Sequence, residues 1–253
     1  MSSTAIFIIA FVTTFGGAII GSVIAPVLPK HHLSDASKDT IKLGAGVIAT
    51  LTALVLGLLL GAAKSSFEGM NILVVQSAAK IITIDGAMRQ YGPEANELRI
   101  FFRQSLSDSI REIWPDHQVP NSGLLALEST NVEDAFLNRA RNLKPSNDSQ
   151  RSLHSQILQL AQELVQNHWL LVEENLSEMP TVLFVILLCW MAILYTTYGL
   201  FTPRNATVLA VLFVCAFSVS SAVFLINELS RPFDGIIQIS SAPMLNALQH
   251  LAR

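Results

Sequence analysis

The stretch LGAGVIATLTALVLGLLLGAA, residues 43–63, contains no charged side chain and is followed by Lys64. A helix needs roughly 20 predominantly apolar residues to cross the hydrocarbon core of a bilayer, and this stretch has that length. Only 14% of the whole chain is charged, whereas a soluble domain carries about a quarter. Residues 43–63 therefore predict a membrane-spanning helix.

Three further windows lack charged side chains in the same way, and they are Met1–Pro29, Met179–Pro203 and Asn205–Asn227. The first window resembles a signal peptide only in part, because it has no positively charged start and closes with Pro26 and Pro29. We therefore expect it to be a retained helix. The sequence predicts an all-α integral membrane protein with four transmembrane helices.

One substantial polar region, Lys64–Glu178, separates the second and third spans. Its apolar residues recur at helical spacing, and glycine and proline interrupt them, which predicts helices that continue from the spans. The expected helices are Ser65–Tyr91, Glu94–Trp114, Val132–Leu143 and a helix of about 28 residues capped at Asn147, which continues into the third span at Pro180. The predicted divisions are residues 1–63 (spans 1 and 2), 64–178 (helical region), 179–227 (spans 3 and 4) and 228–253 (turn and terminal helix).

Two short patterns predict helix contacts. Gly17 and Gly21 in the first span have the spacing that lets two membrane helices pack closely. Asp85 and Arg89 lie four residues apart on a largely apolar helix, which favours an ion pair.

A stripe of small side chains follows one face of the second span and ends at a lysine. Its members are Gly46, Thr50, Ala53, Gly57, Gly61 and Lys64. One interpretation is close helix packing. The other is the lining of a pore in an oligomer, where Thr50 offers a hydroxyl group and Lys64 a charge at one mouth. These six residues are the pore-lining candidates.

The segment INELSRPFDGII, residues 226–237, ends the fourth span. Pro232 stops the helix because it has no backbone N–H, and Asp234-Gly235 favours a turn. We expect Ile236, Ile237 and Ile239 to be extended. A terminal helix then follows, with the apolar stripe Met244, Leu245, Leu248 and Leu251. The candidates for a structural or gating turn are Glu228, Arg231, Pro232, Phe233 and Asp234.

Signals for other functions are weak. The six histidines have no metal-ligand spacing with cysteine or carboxylates, and no phosphate-binding loop or nucleophile motif occurs. The formal charge of −3 does not favour nucleic acid. We expect no enzyme activity, metal, cofactor or nucleic-acid partner. The expected partners are the lipid bilayer and further copies of this chain.

The pattern Glu-x-x-Arg-Pro-Phe-Asp-Gly, followed by Ile-x-x-Ser-x-x-Pro, resembles the C-terminal signature of a bacterial family described as bestrophin-like, whose members are largely of unknown function. The segment LLLGAAKSSF, residues 58–67, and the order of spans also resemble that family. The more distant bestrophins are pentameric anion channels with cytosolic termini. The resemblance implies an oligomeric ion channel, a tetramer or pentamer, that conducts anions rather than cations. It also implies a bacterial inner membrane with both termini in the cytosol.

One departure from the bestrophins limits what the resemblance implies. In calcium-gated bestrophins an acidic run follows the Pro-Phe-Gly turn, whereas here Gly235 is followed by Ile236, Ile237 and Gln238. Calcium takes six to eight oxygen ligands, so we expect no calcium gating through this turn.

A second function stays open beside the channel. A non-conducting scaffold or sensor would act through the helical region and a protein partner. The apolar striping of residues 147–175 and of the C-terminal helix is the feature that favours it.

Overall fold

The computed structural model describes residues 2–29, 35–114, 125–176, 181–203 and 205–252. Within these ranges every regular element is helical. Short 3₁₀ turns occur at Ala25–Val27 and Pro93–Ala95. The α-helices are α1 (Ser3–Ile24), α2 (Asp35–Tyr91), α3 (Asn96–Ile113), α4 (Leu125–Arg141), α5 (Asp148–Leu176), α6 (Thr181–Phe201), α7 (Ala206–Leu229) and α8 (Ala242–Leu251).

Four of these helices are long and apolar enough to cross a membrane. They are α1, α2, α6 and α7, so the predicted all-α architecture with four spans is confirmed. Helix α2 is a single helix of 57 residues, because no proline occurs in it and its glycines are tolerated within a helix.

The chain divides into two compact units. The membrane unit comprises Met1–Ser66 and Glu178–Arg231, and the helical unit comprises Phe67–Ser177 and Pro232–Arg253. The first half of α2 therefore belongs to the membrane unit and its second half to the helical unit.

In the membrane unit, α1 and α6 approach each other backbone to backbone. A Cβ atom on Gly17 would lie 2.9 Å from the carbonyl oxygen of Ala192, and one on Gly21 or Gly199 would overlap the backbone of the facing helix. Ser22 Oγ donates a hydrogen bond of 3.2 Å to the Gly199 carbonyl. The packing role predicted for Gly17 and Gly21 is confirmed, and Gly199 is their counterpart on α6.

Helices α1 and α7 are joined by aromatic side chains. Their rings meet edge to face with centroids 5.3–6.3 Å apart, which is the favoured geometry for aromatic pairs. The rings belong to Phe7, Phe11 and Phe15 on α1 and to Phe213, Phe217 and Phe224 on α7. Shape complementarity therefore holds α1 between α6 and α7.

The described residues of the helical unit share an apolar core. The second half of α2 contributes a buried face that includes Met70, Ile84 and Met88, and α3, α4, α5 and α8 contribute further buried side chains. Asn147 Oδ1 accepts a hydrogen bond of 2.8 Å from the Gln150 N–H, so the predicted cap of α5 is confirmed.

Several boundaries in this unit differ from the prediction. Helix α4 begins at Leu125, seven residues before the expected start, and ends at Arg141. Helix α3 begins at Asn96 because a 3₁₀ turn occupies Pro93–Ala95. The expected continuation into the third span at Pro180 lies outside the described residues.

The apolar stripe predicted on α8 was wrong at one position. Met244, Ala247 and Leu251 are buried, whereas the side chain of Leu245 is 41% exposed. Residues at i, i+3 and i+7 share one helix face, and Leu245 lies about 100° from Met244. Ala247 therefore takes the place that the prediction gave to Leu245.

Among the described residues of the helical unit, Asp85 is a deeply buried charged group. Its carboxylate lies 3.4 Å from Arg89 Nε and 2.8 Å from Arg99 Nε, and its side chain is 4% exposed. The predicted pair with Arg89 is present. Arg99 on α3 makes the shorter contact, and a buried carboxylate needs such hydrogen-bonded partners.

The close approach of α1 and α6 gives a testable consequence. Gly21→Ala should destabilise the protein by about 1–3 kcal/mol, because the added methyl group overlaps the backbone around Thr196. Gly16→Ala on the same helix is the matched control, since nothing lies within 4 Å of its added methyl group. Thermal unfolding in detergent measures both variants. Equal stability of the two variants would contradict the packing described here.

Candidate pore face and post-span turn

Helix α2 has a packed side and an uncovered side within the membrane unit. The packed side includes the buried residues Ala45, Thr52 and Ala63, and partly buried neighbours such as Ile48 and Leu59 contact the other spans. Of the four spans, α2 is the least covered, with 11% of its most apolar window buried against 22–28% in the others.

All six pore-lining candidates lie on the uncovered side. Each of them is exposed, and an added Cβ atom on Gly46, Gly57 or Gly61 would meet nothing within 4 Å. The stripe of small residues predicted from the sequence is thus an exposed surface of the membrane unit. Whether it faces a pore stays a prediction.

The hydroxyl of Thr50 is already engaged. Its Oγ1 donates a hydrogen bond of 3.0 Å to the carbonyl of Gly46, one turn earlier. A hydroxyl has one proton to donate, so Thr50 presents acceptor lone pairs to its surroundings. It therefore cannot donate a hydrogen bond to an anion in this rotamer. The positive group at the end of the stripe is Lys64, which is exposed.

A second stripe lies beside the first, and the sequence prediction did not include it. Its large apolar side chains are between 42% and 74% exposed. The members are Leu43, Val47, Leu51, Leu54 and Leu58. Their three- and four-residue spacing was the signal that could have found them.

The turn that follows α7, from Pro232 to Ile239, is a compact hydrogen-bonded loop. Ile239 N–H donates a hydrogen bond of 2.8 Å to the carbonyl of Pro232, and both residues are buried. Trp114 Nε1 donates a hydrogen bond of 2.8 Å to the Ile239 carbonyl, and its ring meets Phe233 edge to face at 5.8 Å. Trp114 thereby fixes the loop from the end of α3.

The sequence did not assign Trp114 to this site. Its position at the end of an amphipathic helix, directly before Pro115, was the available signal. A buried indole N–H usually has a hydrogen-bond partner, but the partner is 125 residues away in the chain.

The extended run predicted for Ile236, Ile237 and Ile239 was wrong. Residues 232–237 form consecutive turns and bends, and Ile236 is 79% exposed while Ile239 is buried. The hydrogen bond between Ile239 and Pro232 closes a short loop, which is incompatible with extended backbone across it.

The other turn candidates differ in their surroundings. Glu228 is buried, and its carbonyl accepts a hydrogen bond of 3.0 Å from the Arg231 N–H, which completes the end of α7. Arg231 and Asp234 are exposed. Pro232 and Phe233 are therefore packing residues, whereas Arg231 and Asp234 lie at the surface.

The profile of the Bestrophin-like domain matches residues 12–244, nearly the whole chain. The chain belongs to the bestrophin-like family. The resemblance predicted from the motif after the fourth span is thus confirmed. A search of curated protein sequences gives no match.

Solved structures agree with this assignment. Two mutant forms of a bacterial bestrophin homologue from Klebsiella pneumoniae superpose with TM-scores of 0.67 and 0.70 at 12% and 13% sequence identity. These matches cover 98% and 99% of this chain and 99% and 97% of the homologue. A mutant described as a membrane protein gives a TM-score of 0.67 at 12% identity, with 97% of each chain covered. The bestrophin-like protein is an integral membrane protein with a channel-type fold.

The contact between Trp114 and the turn predicts the effect of a conservative change. Trp114→Phe keeps an aromatic ring against Phe233 but removes the N–H that satisfies the buried Ile239 carbonyl. We expect a loss of stability of about 1–3 kcal/mol and faster hydrogen exchange at the Ile239 amide. Trp169→Phe is the control, because the Trp169 side chain is 46% exposed. Unchanged exchange at Ile239 would show that Trp114 does not fix the loop.

Proposed function

We propose that this protein is an oligomeric ion channel that conducts anions in preference to cations. Its conduction pathway is lined by the uncovered face of α2 from several copies of the chain. The observation that carries the proposal is that α2 is the least covered span and presents a continuous stripe of small residues. Small side chains cover little of the polar helix backbone, and such backbone is tolerated within a membrane where it contacts protein or water.

The length of α2 supports a pathway that continues beyond the bilayer. A helix of 57 residues has a length of about 85 Å at 1.5 Å per residue, whereas the hydrocarbon core is about 30 Å thick. The same helix from each subunit is therefore longer than the bilayer part of the pathway requires. A tetramer or pentamer of such helices leaves a central opening.

Selectivity for anions rests on Lys64 in this proposal. The residue lies at one end of the stripe, and a ring of lysines at a pore mouth raises the local concentration of anions. Thr50 does not contribute a donor, because its proton is bound to the Gly46 carbonyl. The family resemblance also favours anions over cations.

The turn after α7 is proposed as a structural coupler without a calcium ligand set. Its side chains Pro232 and Phe233 pack against their surroundings, and the positions that follow Gly235 are isoleucines and Gln238. Calcium would need several oxygen ligands there.

The scaffold interpretation loses its supporting feature. The apolar stripes of α5 and α8 pack into the core of the helical unit, where Ile157, Ala161, Ala247 and Leu251 are buried. These faces are therefore occupied within the chain, and we do not propose a scaffold.

The channel function is tested with purified protein in liposomes. The wild-type oligomer should carry chloride faster than potassium. Lys64→Glu should lower the chloride-to-potassium permeability ratio by about tenfold, because reversal of a charge at the mouth changes the energy of a passing ion by about 1–2 kcal/mol even in water. Lys144→Glu, at an exposed position in the helical unit, makes the same charge change and should leave the ratio unaltered.

An absence of flux above that of empty liposomes, with the oligomer intact, would reject conduction. Flux with equal effects of Lys64→Glu and Lys144→Glu would reject the specific role of Lys64.

We also propose that both termini and the helical unit face the cytosol of a bacterial cell, with the protein in the inner membrane. In a variant without its native cysteines, Asp39→Cys should react with a membrane-impermeant maleimide on intact cells. Asp108→Cys should react only after the cells are opened. Both aspartates are exposed, so accessibility alone does not separate them. The reverse pattern would invert the topology.

A further inference from the structure

The helical unit contains a cavity of about 150 Å³ whose walls come from α2, α3, α4, α5 and α8. Most of the lining is apolar and includes Phe102, Phe136 and Leu164. An apolar cavity of about 150 Å³ holds a benzene molecule. The cavity is therefore large enough for a small organic compound with one aromatic ring.

Two titratable side chains line the same cavity from different helices. Glu133 on α4 and His168 on α5 face each other, with 3.7 Å between Glu133 Oε1 and His168 Nδ1. The remaining polar atom of each side chain, Glu133 Oε2 or His168 Nε2, is buried and has no hydrogen-bond partner. Buried polar atoms are rarely left unpaired in native proteins, so these two atoms indicate a missing partner.

The electrostatics of the pair define the chemistry of that partner. Burial, with a smaller contribution from the neighbouring Asp134, raises the pKa of Glu133 to about 7. Burial lowers the pKa of His168, which keeps the imidazole neutral at neutral pH. The polar residues that α2 and α3 contribute to the lining are Ser77, Ser105 and Ser109, and α8 contributes Met244, so these elements add no titratable group among the described lining residues.

The hydrogen-bonding capacity of His168 and Glu133 narrows the choice of ligand further. A neutral imidazole has one N–H, and a proton on Nδ1 points toward the carboxylate at Glu133 Oε1. His168 Nε2 is then an acceptor, as is Glu133 Oε2. A single ligand group that satisfies both atoms has to supply two donors. An alcohol has one proton and cannot serve both atoms, whereas an ammonium group has three.

We propose that this cavity binds a small primary amine with an aromatic body, whose ammonium group donates to Glu133 Oε2 and His168 Nε2 and whose ring lies among the apolar walls. The site belongs to the helical unit and does not depend on conduction. A carboxylic acid is disfavoured because it would bring a second negative charge beside Glu133.

The first test compares two probes of nearly equal size on the full-length oligomer in lipid nanodiscs. Binding of benzylamine and of benzyl alcohol is measured by ligand-observed NMR at about pH 8, with empty nanodiscs as the blank. Benzylamine should bind at least about tenfold more tightly, because hydrogen bonds to a buried charge exceed those to a neutral group by that factor or more. Equal binding of the two probes, or tighter binding of the alcohol, would overturn the proposal.

The second test assigns the site. Glu133→Gln keeps the shape of the side chain and should weaken benzylamine by about tenfold while leaving benzyl alcohol unchanged. Asp108→Asn removes the same charge from an exposed position on α3 and should leave both probes unchanged. Ala161→Leu adds bulk at a buried lining position and should weaken both probes. Retained benzylamine affinity in Glu133→Gln, or an equal loss in Asp108→Asn, would overturn the assignment.

The third test needs no variant. The ammonium group stays charged between about pH 6 and pH 8, as a lysine does, while Glu133 loses its proton around pH 7. Benzylamine affinity should therefore rise roughly tenfold over this range, in proportion to the ionised fraction of Glu133. Any protonation of His168 at the acid end acts in the same direction. An affinity that is constant or falls with rising pH would contradict the proposed contact.

Discussion

The hydrocarbon core of a bilayer offers no hydrogen-bond partner to a peptide group, so a span has to satisfy its backbone within its own helix. Helix α2 meets this requirement without a break from Asp35 to Tyr91. One side of its first half packs on the other spans, and the opposite side is left uncovered. The proposed assembly and pathway both follow from that asymmetry, because an uncovered stripe of small residues permits either a close neighbour or water.

The two units are stabilised by different interactions. In the membrane unit the main contribution is the close fit between helix surfaces, because glycines bring α1 against α6 and phenylalanine rings join α1 to α7. Apolar side chains gain little from leaving lipid, so close contact supplies the stability. In the helical unit, apolar side chains are stabilised by burial from water, and the buried titratable side chains differ in how well their polar atoms are paired. Asp85 is satisfied by two arginines, whereas Glu133 and His168 retain unpaired atoms.

The sequence predicted features that depend on local pattern. Charge-free windows located the four spans, since spanning depends on length and hydropathy along one segment. The spacing of Gly17 and Gly21 predicted close packing for the same reason. The motif after α7 indicated the family because its residues are neighbours in the chain and form one readable segment.

Features that depend on residues far apart in the chain were not predicted from the sequence. Arg99 joins Asp85 only because α3 folds back on α2, and Trp114 reaches Ile239 across the fold. The prediction placed Leu245 on the buried face of α8 because it is apolar, although it lies about 100° from Met244 on the helix, and only the fold shows that Ala247 is buried there instead. The pairing of Glu133 with His168 requires the packing of α4 on α5, which no spacing in the sequence specifies.

In the proposed assembly, copies of α2 surround a common axis with their uncovered faces. Electron microscopy of the purified protein in lipid nanodiscs tests this most directly. We expect a rotationally symmetric ring of four or five subunits, with the stripe that contains Thr50 and Gly57 as the part of α2 nearest the axis. A monomer, or a ring in which this stripe faces lipid at the outer edge, would contradict it.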